Sequence, residues 1–157
     1  MTRRQLADTL ARYGAALDAE LELLRHVQRL STDQHEATTR HDRERLHHVA
    51  SERIRLMDGL VRIEHEIHTD RTVLADHRLD AADLPGFSEV AGLHRTAAAL
   101  IAEIAATDED TMAALQQAEV VRRADAQAID AGETTLNAYR RVLAPSAHGP
   151  ALVDRHG

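Results

Sequence analysis

The amino-acid sequence predicts an all-α fold, with long antiparallel helices forming a coiled-coil-like three-helix bundle. Three observations predict it. Apolar residues return at spacings of three, four and seven along most of the chain, which draws one stripe down a helix. No proline lies between Gly86 and Ala144, so a long third segment carries no strong breaker. Alanine is abundant, while the aromatic residues are only Tyr13, Phe87 and Tyr139. So few rings suit a thin seam between helices better than a thick globular core. The 157 residues fit one domain, with a helical bundle over residues 1–144 and a flexible tail over 145–157.

The first helix starts near Thr2. Leu6, Leu10, Tyr13, Leu17, Leu21, Leu24, Val27 and Leu30 step by three and four and share one face. Gly14 lies inside this pattern and weakens it slightly. From Ser31 to Arg45 the only apolar side chain is Ala37, and the stripe disappears. Two readings compete there. The helix continues as a solvated arm, or it breaks near Thr38, Thr39, Arg40 and His41. A break is the expected outcome, with Thr39 or Asp42 capping the next helix through a side-chain oxygen.

The second helix begins near Leu46 and runs to about His77. Val49, Leu56 and Ile63 form one seven-spaced row, and Leu46, Leu60, Ile67 and Leu74 form the other. Arg53 fills the place between Leu46 and Leu60. A strict seven-residue repeat predicts left-handed, coiled-coil-like packing. His77 to Phe87 reads as a connection, with Leu84-Pro85-Gly86 as its turn. Ser88, followed by Glu89, is the expected cap and acidic first turn of the third helix.

That third helix is the longest, with its stripe running from Leu93 to Leu143. Ile101, Leu115, Ile129, Leu136 and Leu143 lie at multiples of seven. Ala97, Ile104, Thr111, Ala118 and Tyr139 fall on the matching row. Asp108 and Arg122 are gaps in the first row, and Asp125 and Gly132 are gaps in the second. Fifty residues would reach on the order of 75 Å at ~1.5 Å per residue. Thr107-Asp108-Glu109-Asp110 marks a possible break. The register matches on both sides, so one helix is expected, with these acids as a charged helix segment. Pro145 to Gly157 holds two prolines and two glycines and reads as an extended tail.

Charge and composition exclude several classes. A formal charge of −7 disfavours general nucleic-acid binding, because phosphate contacts need a basic face. All 19 basic residues are arginine. The absence of cysteine removes disulfides, thiolate metal sites and a cysteine nucleophile. The start, Met1-Thr2-Arg3-Arg4-Gln5-Leu6, has no apolar signal core, and no window approaches eighteen apolar residues. No membrane insertion is therefore expected, and a cytoplasmic protein is the default.

The eleven histidines raise a metal reading. Di-iron bundles place carboxylate and imidazole three apart so that both face one metal, and they need two such pairs plus two more carboxylates. Glu44 and His47 make one pair only. His65 and His68, with Glu64 and Glu66, lie toward the polar side of the second helix and read as solvated. Ser31, Ser51, Ser88 and Ser146 sit in no nucleophile elbow, and no glycine-rich phosphate loop exists. Neither catalytic residues nor a metal or other cofactor is expected.

The arrangement resembles the FlgN-type flagellar export chaperones. The resemblance is carried by Leu21-Glu22-Leu23-Leu24 and by Asp42-Arg43-Glu44-Arg45-Leu46 at the opening of the second helix. Ser51-Glu52-Arg53, Leu56-Met57, Ile104, Asp108-Glu109-Asp110 and Leu115 extend it. Thr135-Leu136-Asn137-Ala138-Tyr139 resembles the family's closing tyrosine region. The many histidines and the proline-bearing tail are departures. The resemblance implies a non-catalytic protein. It would bind the C-terminal segments of flagellar hook–filament junction proteins and deliver them to an export gate component.

Under that implication Leu136, Tyr139, Val142 and Leu143 form the partner-binding patch, and Tyr139 is the candidate for the gate contact. Recognition would be helix-in-groove. Tyr139 has two readings, a seam residue on its row or an anchor in a partner's pocket. The rival functions are a structural coiled-coil or oligomerisation module without a client, and a metal-binding helical bundle.

Overall fold

A computed structural model describes residues 1–124 and 140–141. The chain is all-α, and no strand occurs among the described residues. Three long helices, α1 (Arg3–Thr39), α2 (Arg43–Asp76) and α4 (Phe87–Ala124), carry the bundle. A fourth, α3 (Arg78–Ala82), is five residues long.

Local hydrogen bonds mark the start of α1 and the turn from α1 to α2. Thr2 and Gln5 form a reciprocal capping box at the start of α1. The Gln5 N–H donates to Thr2 Oγ1 (3.2 Å), and the Thr2 N–H donates to Gln5 Oε1 (2.8 Å). The break expected near Thr38–His41 is present. The His41 N–H donates to the Thr38 carbonyl (3.2 Å) and the Asp42 N–H to the Ala37 carbonyl (2.9 Å). His41 takes a φ of 55°, so this is a Schellman stop with histidine where glycine is usual. Asp42, not Thr39, caps α2, and its Oδ1 accepts the Arg45 N–H at 3.0 Å.

The expected connection from His77 to Phe87 contains α3, whose Ala81 is fully buried. Gly86 has a φ of 86°, and its carbonyl accepts the Val90 N–H at 3.0 Å. Helix α4 therefore begins at Phe87. Ser88 lies inside the first turn and is not the cap, while Glu89 is the expected acid there. The chain stays helical through Thr107–Asp110, as expected. The stripe beyond Ala124, including Ile129, lies outside the described residues.

The helices contribute to two compact units. One comprises Met1–His26 with Asp58–Ile101, and the other comprises Val27–Met57 with the described residues from Ala102 on. The first has an apolar core. Leu6, Leu10, Ala81 and Leu84 pack with Val73, Leu74, Phe87 and Val90. Next to these, Tyr13, Leu17 and Ile67 pack with Ile63, Leu74 and Leu93. Gly14 is buried, and a Cβ there would lie 3.0 Å from Val90 Cγ2, so glycine lets α1 and α4 approach closely.

The second unit has a small apolar cluster. Ala37 and Leu46 are covered by Met112 and Leu115. Its remaining seam is largely polar. Ser31, Gln34 and Thr38 are buried although the stripe ends at Leu30 by composition. The stripe does not stop there; its side chains change from apolar to hydrogen-bonding. On α4 the buried face consists of Ala97, Ile104, Asp108, Thr111 and Glu119. Ile101, expected in the seam, is 37% exposed. Seven residues on in the same row Asp108 is buried, so the row turns inward along the helix, as an α-helix drifting by ~20° per heptad against a strict seven-residue row allows.

Candidate functional site

Two groups of polar side chains lie inside the bundle, one in each unit. In the second unit, Ser31 and Gln34 come from α1, Arg53 from α2 and Asp108 from α4. Arg53 has no exposed surface, and Asp108 is 5% exposed. The Arg53 guanidinium meets the Asp108 carboxylate in a two-pronged pair, Nη1 to Oδ1 at 2.6 Å and Nη2 to Oδ2. Nη1 also donates to Gln34 Oε1 (2.7 Å) and Ser31 Oγ (3.0 Å). Ser31 Oγ in turn donates to Asp108 Oδ1 at 2.7 Å. One turn further along α4, Thr111 Oγ1 lies 3.3 Å from His35 Nδ1. Two buried donors, Arg53 Nε and Gln34 Nε2, have no hydrogen-bond partner.

This corrects one sequence expectation. Asp108 is not part of a solvated charged segment; only Glu109 and Asp110 are exposed. Arg53 and Asp108 each interrupt an apolar row, and the two interruptions face each other. Two opposite charges in otherwise apolar seam positions were the available signal.

In the first unit, Tyr13 and Glu20 come from α1, and Glu64 and Arg71 from α2. Arg71 grips Glu64 with both terminal nitrogens, at 2.9 Å each. Its Nε donates to the Tyr13 hydroxyl at 3.4 Å, and its cation sits 6.0 Å from the Tyr13 ring centre. Glu20 is buried against Glu64, and its Oε2 has no hydrogen-bond partner. Burial, then the neighbouring Glu64 charge, pushes the Glu20 carboxyl up to about 7. Burial pushes Glu64 up as well, but the Arg71 hydrogen bonds and charge outweigh it and hold Glu64 below its ordinary value.

The histidine pairs are not gathered into a site. Glu44 and His47 are both exposed, as are His65, Glu66 and His68. Glu64 is engaged by Arg71. Among the described residues no group of three or more His, Asp or Glu is placed to hold a metal ion. No helix there is long and apolar enough to cross a membrane.

The expected partner-binding residues Leu136, Tyr139, Val142 and Leu143 lie outside the described residues. Upstream of them, α4 carries Val120 and Val121 with 66% and 58% exposure. Consecutive helical residues point about 100° apart at 3.6 residues per turn, so a broad arc of α4 is uncovered there. No family model, no curated protein and no solved structure matches the chain.

Proposed function

We propose that this chain is a non-catalytic binding protein, a cytoplasmic export chaperone of the flagellar FlgN type. It would hold the C-terminal segments of hook–filament junction proteins and pass them to an export gate component. The observation that supports this reading most is the exposed Val120–Val121 pair on α4. Leu136, Tyr139, Val142 and Leu143 follow it in the sequence. Exposed apolar positions on a helix suit an amphipathic client segment, which would order as it docks.

The test is co-purification of the full chain with the C-terminal segments of its host's junction proteins, read by mass and stoichiometry. A defined complex is expected. It should weaken on replacing Tyr139 by alanine or Val120 and Val121 by serine, with the helical content unchanged. A stable self-associated species that captures no client supports the alternative, a structural coiled-coil module without a client.

A further inference from the structure

We propose that Glu20 and Glu64 hold a single proton between them where α1 meets α2, and that this proton latches the first unit in a pH-dependent way, tight in acid and loosened above neutrality. The geometry sets this up through a mismatch in number. Two carboxyl groups converge on one guanidinium. Arg71 turns both terminal nitrogens to Glu64 and its Nε to the Tyr13 hydroxyl, so its one positive charge is committed to Glu64 while two carboxyl groups share the site. Glu20 is 6% exposed, and its Oε2 accepts no hydrogen bond from a protein group. A buried carboxylate in that position has no cation of its own and no hydrogen bond at Oε2, which is a costly state of the group.

Charged and titratable neighbours come from all three long helices. From α1 there is Tyr13, whose hydroxyl meets Arg71, from α2 Glu64 and Arg71, and from α4 His94, which acts on Glu64. With one proton present the cluster is balanced, since Arg71 neutralises Glu64 and Glu20 is an uncharged acid. When the proton leaves, one negative charge remains uncompensated inside the α1–α2 contact. Swinging Glu20 into solvent relieves it, and that requires α1 and α2 to part locally.

The direction in pH follows from linkage. Glu20 binds its proton with a midpoint of about 7 in the folded unit against 4.5 for the free side chain. The folded state therefore holds the extra proton between those values, and stability falls as pH rises through that window. From pH 5 to pH 8.5 the unfolding equilibrium constant should rise roughly a hundredfold from this group.

The experiment uses the full chain. Urea unfolding is followed by far-UV circular dichroism at pH 5 and pH 8.5 for the native sequence and for Glu20→Gln. The glutamine mimics the protonated acid, so it should remove most of that hundredfold change and leave the variant more stable at pH 8.5. Separately, the Glu20 side-chain carboxyl is titrated by carbon-13 NMR in the native sequence, and its midpoint should lie near 7. In Glu64→Gln the like charge is gone and the midpoint should fall. A Glu20 midpoint in the ordinary carboxylate range overturns the proposal. So does a Glu20→Gln variant that keeps the full pH dependence. The NMR titration decides the matter even if a variant fails to fold.

Discussion

Replacing Asp108 with asparagine tests the polar seam at its centre. The substitution keeps the shape and one acceptor oxygen but removes the negative charge. Arg53 has no exposed surface, and arginine stays protonated in proteins. Its guanidinium is then left as an uncompensated buried charge, with Nε already unpartnered. Breaking a buried pair in this way costs about 3–5 kcal/mol. Against a typical total of about 5–15 kcal/mol, that is a large share of the stability. With a urea slope of about 2 kcal/mol per molar, the unfolding midpoint should fall by roughly 2 M.

The paired replacement Arg53→Leu with Asp108→Leu gives the counter-test. It restores the apolar rows that contain Leu46, Leu60 and Leu115, and so recovers most of the loss. Recovery is incomplete, because Ser31 and Gln34 lose their partners at about 1–3 kcal/mol per stranded group. Adding Ser31→Ala and Gln34→Leu should bring stability to the native level or above. The assay is urea unfolding by circular dichroism, arranged as a double-mutant cycle. A cost below about 1 kcal/mol for Asp108→Asn, or a coupling energy near zero, would refute the buried pair as the centre of this seam.

Other substitutions have expected outcomes. Glu20→Gln should stabilise the chain above pH 7 by at most ~3.5 kcal/mol, from the rise of 4.5 to about 7 at ~1.4 kcal/mol per pH unit, and change little near pH 5. His41→Gly should raise stability by about 1 kcal/mol in thermal unfolding, since glycine adopts the observed φ of 55° without a Cβ penalty. Gly14→Val should lower it by ~1–3 kcal/mol, because a Cβ already meets Val90 at 3.0 Å and the branched side chain adds more.

Much of the fold was legible in the sequence. Apolar steps of three and four located α1, seven-spaced rows located α2 and α4, and the loss of apolar residues before Leu46 located the α1–α2 turn. Asp42 was one of two expected caps, and it is the one used. The interior polar groups were less legible, for a physical reason. Polarity marks exposure only when a side chain lacks a buried partner, and the partners here are distant in sequence. Arg53 and Asp108 lie 55 residues apart, and Ser31 and Asp108 lie 77 apart. Glu20 stood beside Leu21 and three residues after Leu17, on the apolar arc itself, so its burial was readable. Its shared environment with Glu64 was not, because helix periodicity gives the face of each helix and not which residues meet across it. The short α3 was missed because five residues are too few to show a period.

The Arg53–Asp108 pair also bears on how the helices find their alignment. A heptad chain rich in alanine offers many near-equivalent ways to slide one helix past another, since each seven-residue step returns a similar apolar face. In the second unit such a slip of α4 would set Ile101 or Leu115 opposite Arg53. Both are neutral, and the guanidinium would then be buried without its carboxylate. The cost of about 3–5 kcal/mol for an unpaired buried charge would fall on the shifted alignments and not on the native one. Charge thus acts here as an index mark, telling otherwise interchangeable heptads apart where bulky side chains are too scarce to do so.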